Sequence, residues 1–394
     1  MSEFLPTFTT LTSFSAAYTN ITNYQVSLIG RYMSLLVSLD LSYCHRVSDA
    51  GVRSLVAPVA HVTSPPHHDD NDGHRFGQCK RLSRLLLSGS QLVTSDCVET
   101  VLLNLDHLSV IDFHDTAGVI YKLLSEGRLN KTLKLRSLYV GDTWHTWLTD
   151  TLPPVLSTCP AVSHVYIVLG AEMKYTRLLS LLDVEYLEEL HVRVDSNDDD
   201  QQVETFSDVM TPVLTRHGET LVSINISEAS QVSVSSLCQH CPCLTHLALL
   251  WNKSYRVDEC SGGREWFPAL KTLNIAVRDD IDGDNCSPVE LSYHNWFQLL
   301  CSPQLKSVAV TQSRNLSDEC LQNIATVNSF HHLEQLELTW CHEVSFDSLE
   351  LLLEADNPLT SVKLIHCDNV TKRDVQKYQK KVEKWKWNVN LEWC

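Results

Sequence analysis

Cysteine and histidine are concentrated at residues 238–243, which read CQHCPC. Cys238, His240 and Cys241 carry the sulfur and nitrogen ligands that zinc prefers. A structural zinc site usually needs a second pair of ligands at a similar spacing, and none follows along the chain. Cys241 is also followed by proline, as Cys159 is. The sequence therefore favours a packing role for these cysteines, and we expect no metal site.

A second group of metal-ligand residues is acidic and lies at residues 278–291, RDDIDGDNCSPVEL. If Asp280 and Asp282 were the first and third ligands of a calcium loop, Asn285 would be the sixth position and Leu291 the twelfth. An EF-hand loop needs glycine and glutamate at those two positions. The run therefore does not match this kind of calcium site.

A third group, Cys44, His45 and Asp49, combines a thiol, an imidazole and a carboxylate. The chain has none of the sequence signatures of phosphate-binding loops, dinucleotide sites, zinc proteases or serine hydrolases. We therefore predict that the protein is not an enzyme, with no catalytic residues and no cofactor.

The charge and the apolar content of the chain disfavour some classes of partner and location. The 394 residues have a formal net charge of −17, which disfavours binding to nucleic acid or to anionic membranes. No apolar run is long enough for a transmembrane helix, and the N-terminus has no basic start or apolar core of a signal peptide. We expect a cytoplasmic or nuclear protein whose 14 cysteines are mostly reduced thiols.

Apolar residues recur along the chain with one spacing, L-x-x-L-x-L, seen at Leu36, Leu39 and Leu41. The period is near 26 residues, with three longer intervals. Thirteen copies begin at Leu11, Leu36, Leu82, Leu108, Leu135, Val162, Leu187, Leu221, Leu244, Leu270, Leu305, Leu333 and Leu359. Repetition at such a period indicates stacked units that share one core.

The second half of each unit also repeats, at a fixed distance from the apolar residues of the first half. A hydroxyl residue follows the last apolar strand position by seven residues at Ser48, Thr94, Ser233, Ser317, Ser345 and Thr371. Serine or threonine there can cap a helix N-terminus. Each unit is therefore predicted to be a strand, a turn and a capped helix, and stacking would build a solenoid.

The stretches LVSLDLSYCHRVSDAGVRSL and LEQLELTWCHEVSFDSLELL resemble leucine-rich repeats of the cysteine-containing subclass, as found in F-box/leucine-rich-repeat proteins. The resemblance covers residues 8–394. It implies an α/β fold, a right-handed horseshoe-shaped leucine-rich-repeat solenoid with parallel strands on the concave face and helices on the convex face. In that family an F-box precedes the repeats, and here the first unit begins near Phe8, which leaves no room for one.

Cysteines occupy two fixed slots of the repeat. Cys44, Cys341 and Cys367 lie three residues after the last strand position, whereas Cys79, Cys159 and Cys241 lie three before the first. A small apolar thiol suits a tight turn against a core. We therefore predict that these cysteines are buried for packing.

The domain organisation expected is one solenoid over residues 1–394, of about 13 repeats. We predict an inserted loop at 58–78, acidic loop insertions at 195–202 and 278–288, and a C-terminal cap at 372–394. The acidic loops are either solvated connections or an acidic rim for a basic partner. The cap is rich in lysine and tryptophan, so nucleic-acid binding is its alternative role.

Strand residues between the core positions should point to the concave surface. Aromatic and histidine side chains at these positions, or just past the strands, are what a protein-binding patch would use. The predicted partner-binding residues are Tyr139, His164, Tyr166, His191, His246, Trp251 and Trp340. The alternative is a surface that carries these residues without binding anything.

Two functions follow as expectations. The resemblance implies a non-enzymatic protein-interaction module, the substrate-recognition part of an SCF-type ubiquitin ligase, with cullin ligase components as partners. The alternative is an intracellular repeat scaffold or inhibitor, resembling ribonuclease-inhibitor-type proteins, that binds a basic partner through an acidic rim. In both cases we expect a monomer that binds neither nucleic acid nor membranes.

Overall fold

The computed structural model describes most of the chain, in two compact units. The described residues are 5–56, 79–141, 148–170, 174–195, 205–256, 266–278, 291–353, 358–385 and 389–394. The N-terminal unit comprises residues 1–168 and 183–185, and the C-terminal unit comprises residues 169–182 and 186–394.

In the N-terminal unit, strands alternate with helices. The strands are β1 Ser13–Ser15, β2 Ser38–Asp40, β3 Arg84–Leu86, β4 Val110–Asp112, β5 Ser137–Val140 and most of β6 His164–Gly170. The helices are α1 Asn23–Tyr32, α2 Asp49–Val56, α3 Ser95–Asn104, α4 Thr116–Ser125 and α5 Leu148–Thr158, preceded by a 3₁₀ turn at Leu5–Thr7. Strands β1 to β4 pair in chain order, all in parallel, and β5 pairs in parallel with β6.

The C-terminal unit repeats the same alternation. Its strands are β7 Glu189–Asp195, β8 Ser223–Ser227, β9 His246–Asn252, β10 Thr272–Val277, β11 Ser307–Thr311, β12 Gln335–Thr339, β13 Ser361–Ile365 and β14 Asn390–Trp393. Its helices are α6 Phe206–His217, α7 Val234–His240, α8 Tyr293–Leu300, α9 Asp318–Ala325, α10 Phe346–Leu353 and α11 Lys372–Trp385. The segment Tyr175–Asp183, before β7, is a 3₁₀ helix. Strands β7 to β14 pair in chain order, and every pair is parallel.

The apolar spacing read from the sequence sets the register of these strands. Leu39 lies opposite Phe14 on one side and Leu85 on the other, so equivalent core residues of successive repeats are aligned. Side chains alternate along each strand: Leu247 and Leu249 are buried, whereas Ala248 between them is half-buried. Burying one such leucine stabilises the fold by roughly 1.5–3 kcal/mol before entropy is counted. The predicted α/β repeat fold with parallel strands is confirmed.

We call the other side of the strands, which carries the side chains between the core positions, the solvent face. Several strands, among them β2 and β12, end at a turn whose second residue has a left-handed backbone, as at Tyr43 with φ 56° and Trp340 with φ 57°. The Tyr43 N–H still donates to the Ser88 carbonyl of the next repeat, at 2.7 Å. At Gly89, φ is 69° and an added Cβ would lie 2.5 Å from the Tyr43 ring, so this repeat needs glycine.

The helix starts differ in part from the prediction. Ser233 and Ser317 cap α7 and α9 as expected, by accepting hydrogen bonds from Ser236 N and Cys320 N. Thr94 makes no such cap; its hydroxyl donates to Asp49 of the preceding repeat at 2.7 Å. A hydroxyl group at this position therefore serves either its own helix or the neighbouring repeat.

The cysteine slot after each strand is also a hydrogen-bonding position. Cys44 Sγ donates to the carbonyl of Ala16 in the preceding repeat at 3.0 Å, and Cys367 Sγ donates to Leu338 O at 3.5 Å. Ser90 occupies the same slot and donates to Leu41 O at 2.9 Å. The cysteines that the sequence places in the two slots are buried: Cys44, Cys79, Cys159, Cys241, Cys341 and Cys367.

Parts of the predicted domain organisation lie outside the described residues. These are the loop at 58–78 and, apart from Asp195 and Arg278, the acidic insertions at 195–202 and 278–288. At the C-terminus, α11 is followed by β14, which pairs with β13.

Candidate protein-binding surface

Two tyrosines of the N-terminal unit form a stacked pair on the solvent face. Tyr139 on β5 lies opposite Tyr166 on β6 in the strand register. Their ring centroids are 4.4 Å apart and the ring planes differ by 6°. Both side chains are half-buried, so each ring keeps one part in contact with solvent. A rigid pair of aromatic rings offers contact area at a low cost in side-chain entropy, which is favourable for binding proteins.

A carboxylate lies close to this tyrosine pair. Asp112, at the end of β4, accepts hydrogen bonds from Ser88 Oγ at 2.8 Å, from Ser88 N at 3.1 Å and from Leu87 N. Burial raises the pKa of Asp112, and the charge of Asp40 acts in the same direction, against these hydrogen bonds. Burial, together with Tyr166 and Asp112, raises the pKa of Tyr139 well above its usual range. The Tyr139 hydroxyl is therefore neutral at physiological pH, and it forms a side-chain hydrogen bond with Tyr166.

The three histidines predicted for the site lie on different strands. His164 precedes Tyr166 by two residues on β6, so it lies on the same face of the strand as the tyrosine pair. Its Nδ1 is 2.9 Å from Ser163 Oγ. In the C-terminal unit, His191 lies on β7 opposite Asn225, and His246 begins β9. Strand β8 lies between the strands of these two histidines, and adjacent strands are about 4.8 Å apart.

The two predicted tryptophans lie where strands of the C-terminal unit end. Trp251 is 48% exposed and Trp340 is 44% exposed. Both have the left-handed backbone of the strand-end turn, which costs a non-glycine residue roughly 1–2 kcal/mol. Glu228 and Gln312 occupy the same turn position in other repeats. The fold therefore does not require tryptophan here, and the exposed indoles are available for binding.

The structure adds aromatic residues that the sequence analysis missed. Tyr18 and Tyr43 stack with their centroids 4.6 Å apart in the N-terminal unit, and both rings are exposed. In the C-terminal unit the His366 ring lies 4.3 Å from that of Trp340. All of these occupy the same turn position as Trp251, two residues after the last core residue of the strand. Applying that position to every repeat of the sequence would have found them.

The site predictions thus separate into local groups. Tyr139, His164 and Tyr166 come together in the N-terminal unit. In the C-terminal unit, His191 and His246 are separated by a strand, and Trp251 lies at the opposite end of β9 from His246. Trp340 belongs to the turn after β12, with His366 beside it.

The cysteines show no sign of redox or metal chemistry in the part of the chain that the structure describes. Burial raises the pKa of Cys79, Cys159 and Cys241 to about 12, so each is a neutral thiol at physiological pH. Among the described residues, no group of three or more histidine, cysteine, aspartate or glutamate side chains could hold a metal ion. None of the described helices combines the length and the apolar character that crossing a membrane requires.

Comparison with known proteins agrees with this geometry. Residues 32–56 match the family model described as Leucine Rich repeat. The chain has the leucine-rich-repeat fold. A solved structure of yeast, the complex of Rad7 and Elc1, contains a similar chain with a TM-score of 0.60 and 16% identity, covering 94% of this chain and 83% of the yeast chain. No curated protein matches this chain in sequence. At 16% identity the likeness shows the fold and not the function.

Proposed function

We propose that this leucine-rich-repeat chain is a non-enzymatic protein-interaction module that binds a protein partner on the solvent face of its strands. Repeat arrays of this kind provide an extended binding surface built from adjacent strands. The observation that carries the proposal is the stacked pair Tyr139 and Tyr166, with His164 beside it. The exposed Trp251 and Trp340 support the same role in the C-terminal unit.

In its sharper form, the proposal is that the module is the substrate-recognition part of an SCF-type ubiquitin ligase. The support is the resemblance of its repeats to those of F-box/leucine-rich-repeat proteins. The similar yeast chain was solved in a complex with another protein, Elc1, which is in keeping with a role in assemblies. We place the protein in the cytoplasm or nucleus, as a monomer on its own.

The experiment is affinity capture from cell lysate with quantitative mass spectrometry. The double variant Tyr139→Ala, Tyr166→Ala removes the stacked pair, and Trp251→Ala tests the C-terminal unit separately. Tyr24→Ala combined with Tyr186→Ala is the matched control, because these tyrosines are exposed at 63% and 50% and lie outside the strands. We expect the pair variant to lose a substrate-type partner that the wild type and the control both recover.

Co-recovery of cullin components separates the general proposal from the sharper one. If the chain serves a ligase, cullin recovery should persist in the pair variant while the substrate is lost. Recovery of partners without any cullin would contradict the ligase role alone. Equal recovery of every partner by wild type and by the pair and Trp251 variants would contradict binding at the proposed patches.

The scaffold or inhibitor alternative is favoured by one observation, the net charge of −17. A basic partner held by an acidic surface should be released as salt rises, because exposed charges are screened beyond about 8 Å at physiological ionic strength. Partner recovery that falls steeply with salt but survives loss of the tyrosine pair would support that alternative.

A further inference from the structure

The last helix of the C-terminal unit, α11, has one apolar and one basic side. Val375 and Tyr378 are buried, and Val382 is half-buried on the same side. With 3.6 residues per turn, the positions opposite these three fall on one line along the helix. That line is occupied by Arg373, Lys377, Lys380 and Lys384, all of them exposed, and we call these four the basic stripe.

The neighbouring helix neutralises only part of this charge. On α10, Glu350 lies 2.5 Å from Lys381 Nζ and 3.5 Å from Lys377 Nζ. Arg373 and Lys380 form no ion pair with any residue that the structure describes. The stripe therefore keeps positive charge that is directed to solvent.

This charge stands out against the rest of the molecule. The helix α11 contains six basic and two acidic residues, a net charge of +4, whereas the whole chain is −17 and the remainder is therefore −21. Packing does not explain the stripe, because the side chains that attach α11 to the core are Val375 and Tyr378 on the other side. Of the two ion pairs with Glu350 of α10, the shorter uses Lys381, which is outside the stripe.

We propose that the basic stripe is a docking site for a short acidic segment of a protein partner. The four cations extend along about 16 Å of helix, which suits a few carboxylate side chains in succession. A nucleic-acid duplex or an anionic membrane would spread its charge over a far larger area, where the net charge of the chain is strongly negative. Screening over about 8 Å lets a short segment interact with the stripe while the distant acidic residues repel it little.

This site is separate from the solvent face of the strands. It uses different residues and a different kind of interaction, since the stripe is charged whereas the proposed sheet contacts are aromatic. It therefore remains testable whether or not the proposed function is correct.

The experiment measures fluorescence anisotropy of fluorescein-labelled octaglutamate titrated with the full chain at low and at physiological ionic strength. The test variant is Arg373→Gln, Lys380→Gln, which removes two positive charges from the stripe. The matched control is Lys372→Gln, Gln379→Glu, which changes the net charge by the same amount on the same helix but at positions beside the stripe. Both variants alter only exposed side chains, so circular dichroism and thermal melting should be unchanged.

We expect octaglutamate to bind the wild type and the control with similar affinity, and the stripe variant about fivefold more weakly, because each exposed ion pair contributes modestly. Labelled octaglutamine should not bind. Equal octaglutamate affinity in the stripe and control variants would overturn the proposal. So would tighter binding of a labelled DNA duplex, or of phosphatidylserine vesicles, that depends on the same two residues.

Discussion

At the scale of the residue, the slot after each strand shows how one side chain joins two repeats. Asn252 is fully buried there. Its Nδ2 donates to Ile226 O at 3.2 Å, and its Oδ1 accepts from Ala229 N at 3.0 Å. In the equivalent slot of other repeats, Cys44 and Ser90 supply only a donor. Asparagine is therefore the residue that satisfies both backbone groups at this turn.

We predict that Asn252→Ala destabilises the C-terminal unit by about 2–4 kcal/mol, because each buried backbone group left without a partner costs about 1–3 kcal/mol. The free energy of unfolding in urea gives the total effect. Hydrogen exchange locates it, since the amide of Ala229 should exchange much faster.

The control is Asn323→Ala, because Asn323 is exposed on α9 and its substitution should change stability by less than about 0.5 kcal/mol. Protection of the Ala229 amide that is the same in Asn252→Ala and in wild type would show that the asparagine does not support this turn.

At the scale of the element, helix α6 is attached to the preceding 3₁₀ helix by a buried histidine. His217 lies in the last turn of α6, and its Nε2 donates to the Leu181 carbonyl at 3.0 Å. Burial lowers the pKa of His217, against the effect of this hydrogen bond, with Arg216 acting in the same direction as burial. The folded state therefore favours the neutral imidazole more strongly than the unfolded chain does.

This shift predicts how stability depends on pH. Because the folded pKa is below the unfolded value of about 6.5, the contribution of His217 is complete above that value and is lost as pH falls through it. We expect the urea concentration at the unfolding midpoint of the wild type to decrease as the pH is lowered from about 7.5 to about 5.5. His217→Gln should reduce that dependence, since glutamine can still donate to Leu181 O but does not titrate.

Urea unfolding of both proteins across this pH range measures the difference. The remaining histidines are common to both and contribute equally to each curve. Parallel curves for the wild type and His217→Gln would mean that the buried imidazole does not contribute to the pH dependence.

The elements also show what a sequence can and cannot predict here. The triplet Leu36, Leu39 and Leu41 and its repeats predict the strands and their register, because the alternation of burial along a strand is visible in the residue types. The role of Thr94 was not predictable, because a hydroxyl can cap its own helix or bind Asp49 with equal chemical ease. The turn position of Trp251, applied to every repeat, finds Tyr18 and Tyr43, but their stacking depends on a left-handed backbone that residue types do not reveal.

At the scale of the whole molecule, a stacked array is stabilised mainly by contacts between neighbouring repeats, so its last repeat needs a covering element. We propose that residues 372–394 have this role in the C-terminal unit. Tyr378 of α11 is fully buried, its ring lies 5.9 Å from that of Phe346, and its hydroxyl donates to Leu353 O at 3.4 Å. Beyond the helix, β14 pairs with β13.

This arrangement predicts opposite outcomes for the two sides of α11. Tyr378→Ala should destabilise the unit by about 3 kcal/mol or more, because it removes a large buried ring and leaves a cavity. Protection from hydrogen exchange should then be lost first in β13 and α10 and afterwards in earlier strands. The reason is that each repeat of such an array is stabilised by its contacts with the adjacent repeats. The stripe variant Arg373→Gln, Lys380→Gln should melt like the wild type, because both side chains are exposed. Thermal melting with residue-resolved exchange distinguishes these cases: uniform loss of protection, or none, in Tyr378→Ala would exclude a capping role for this helix.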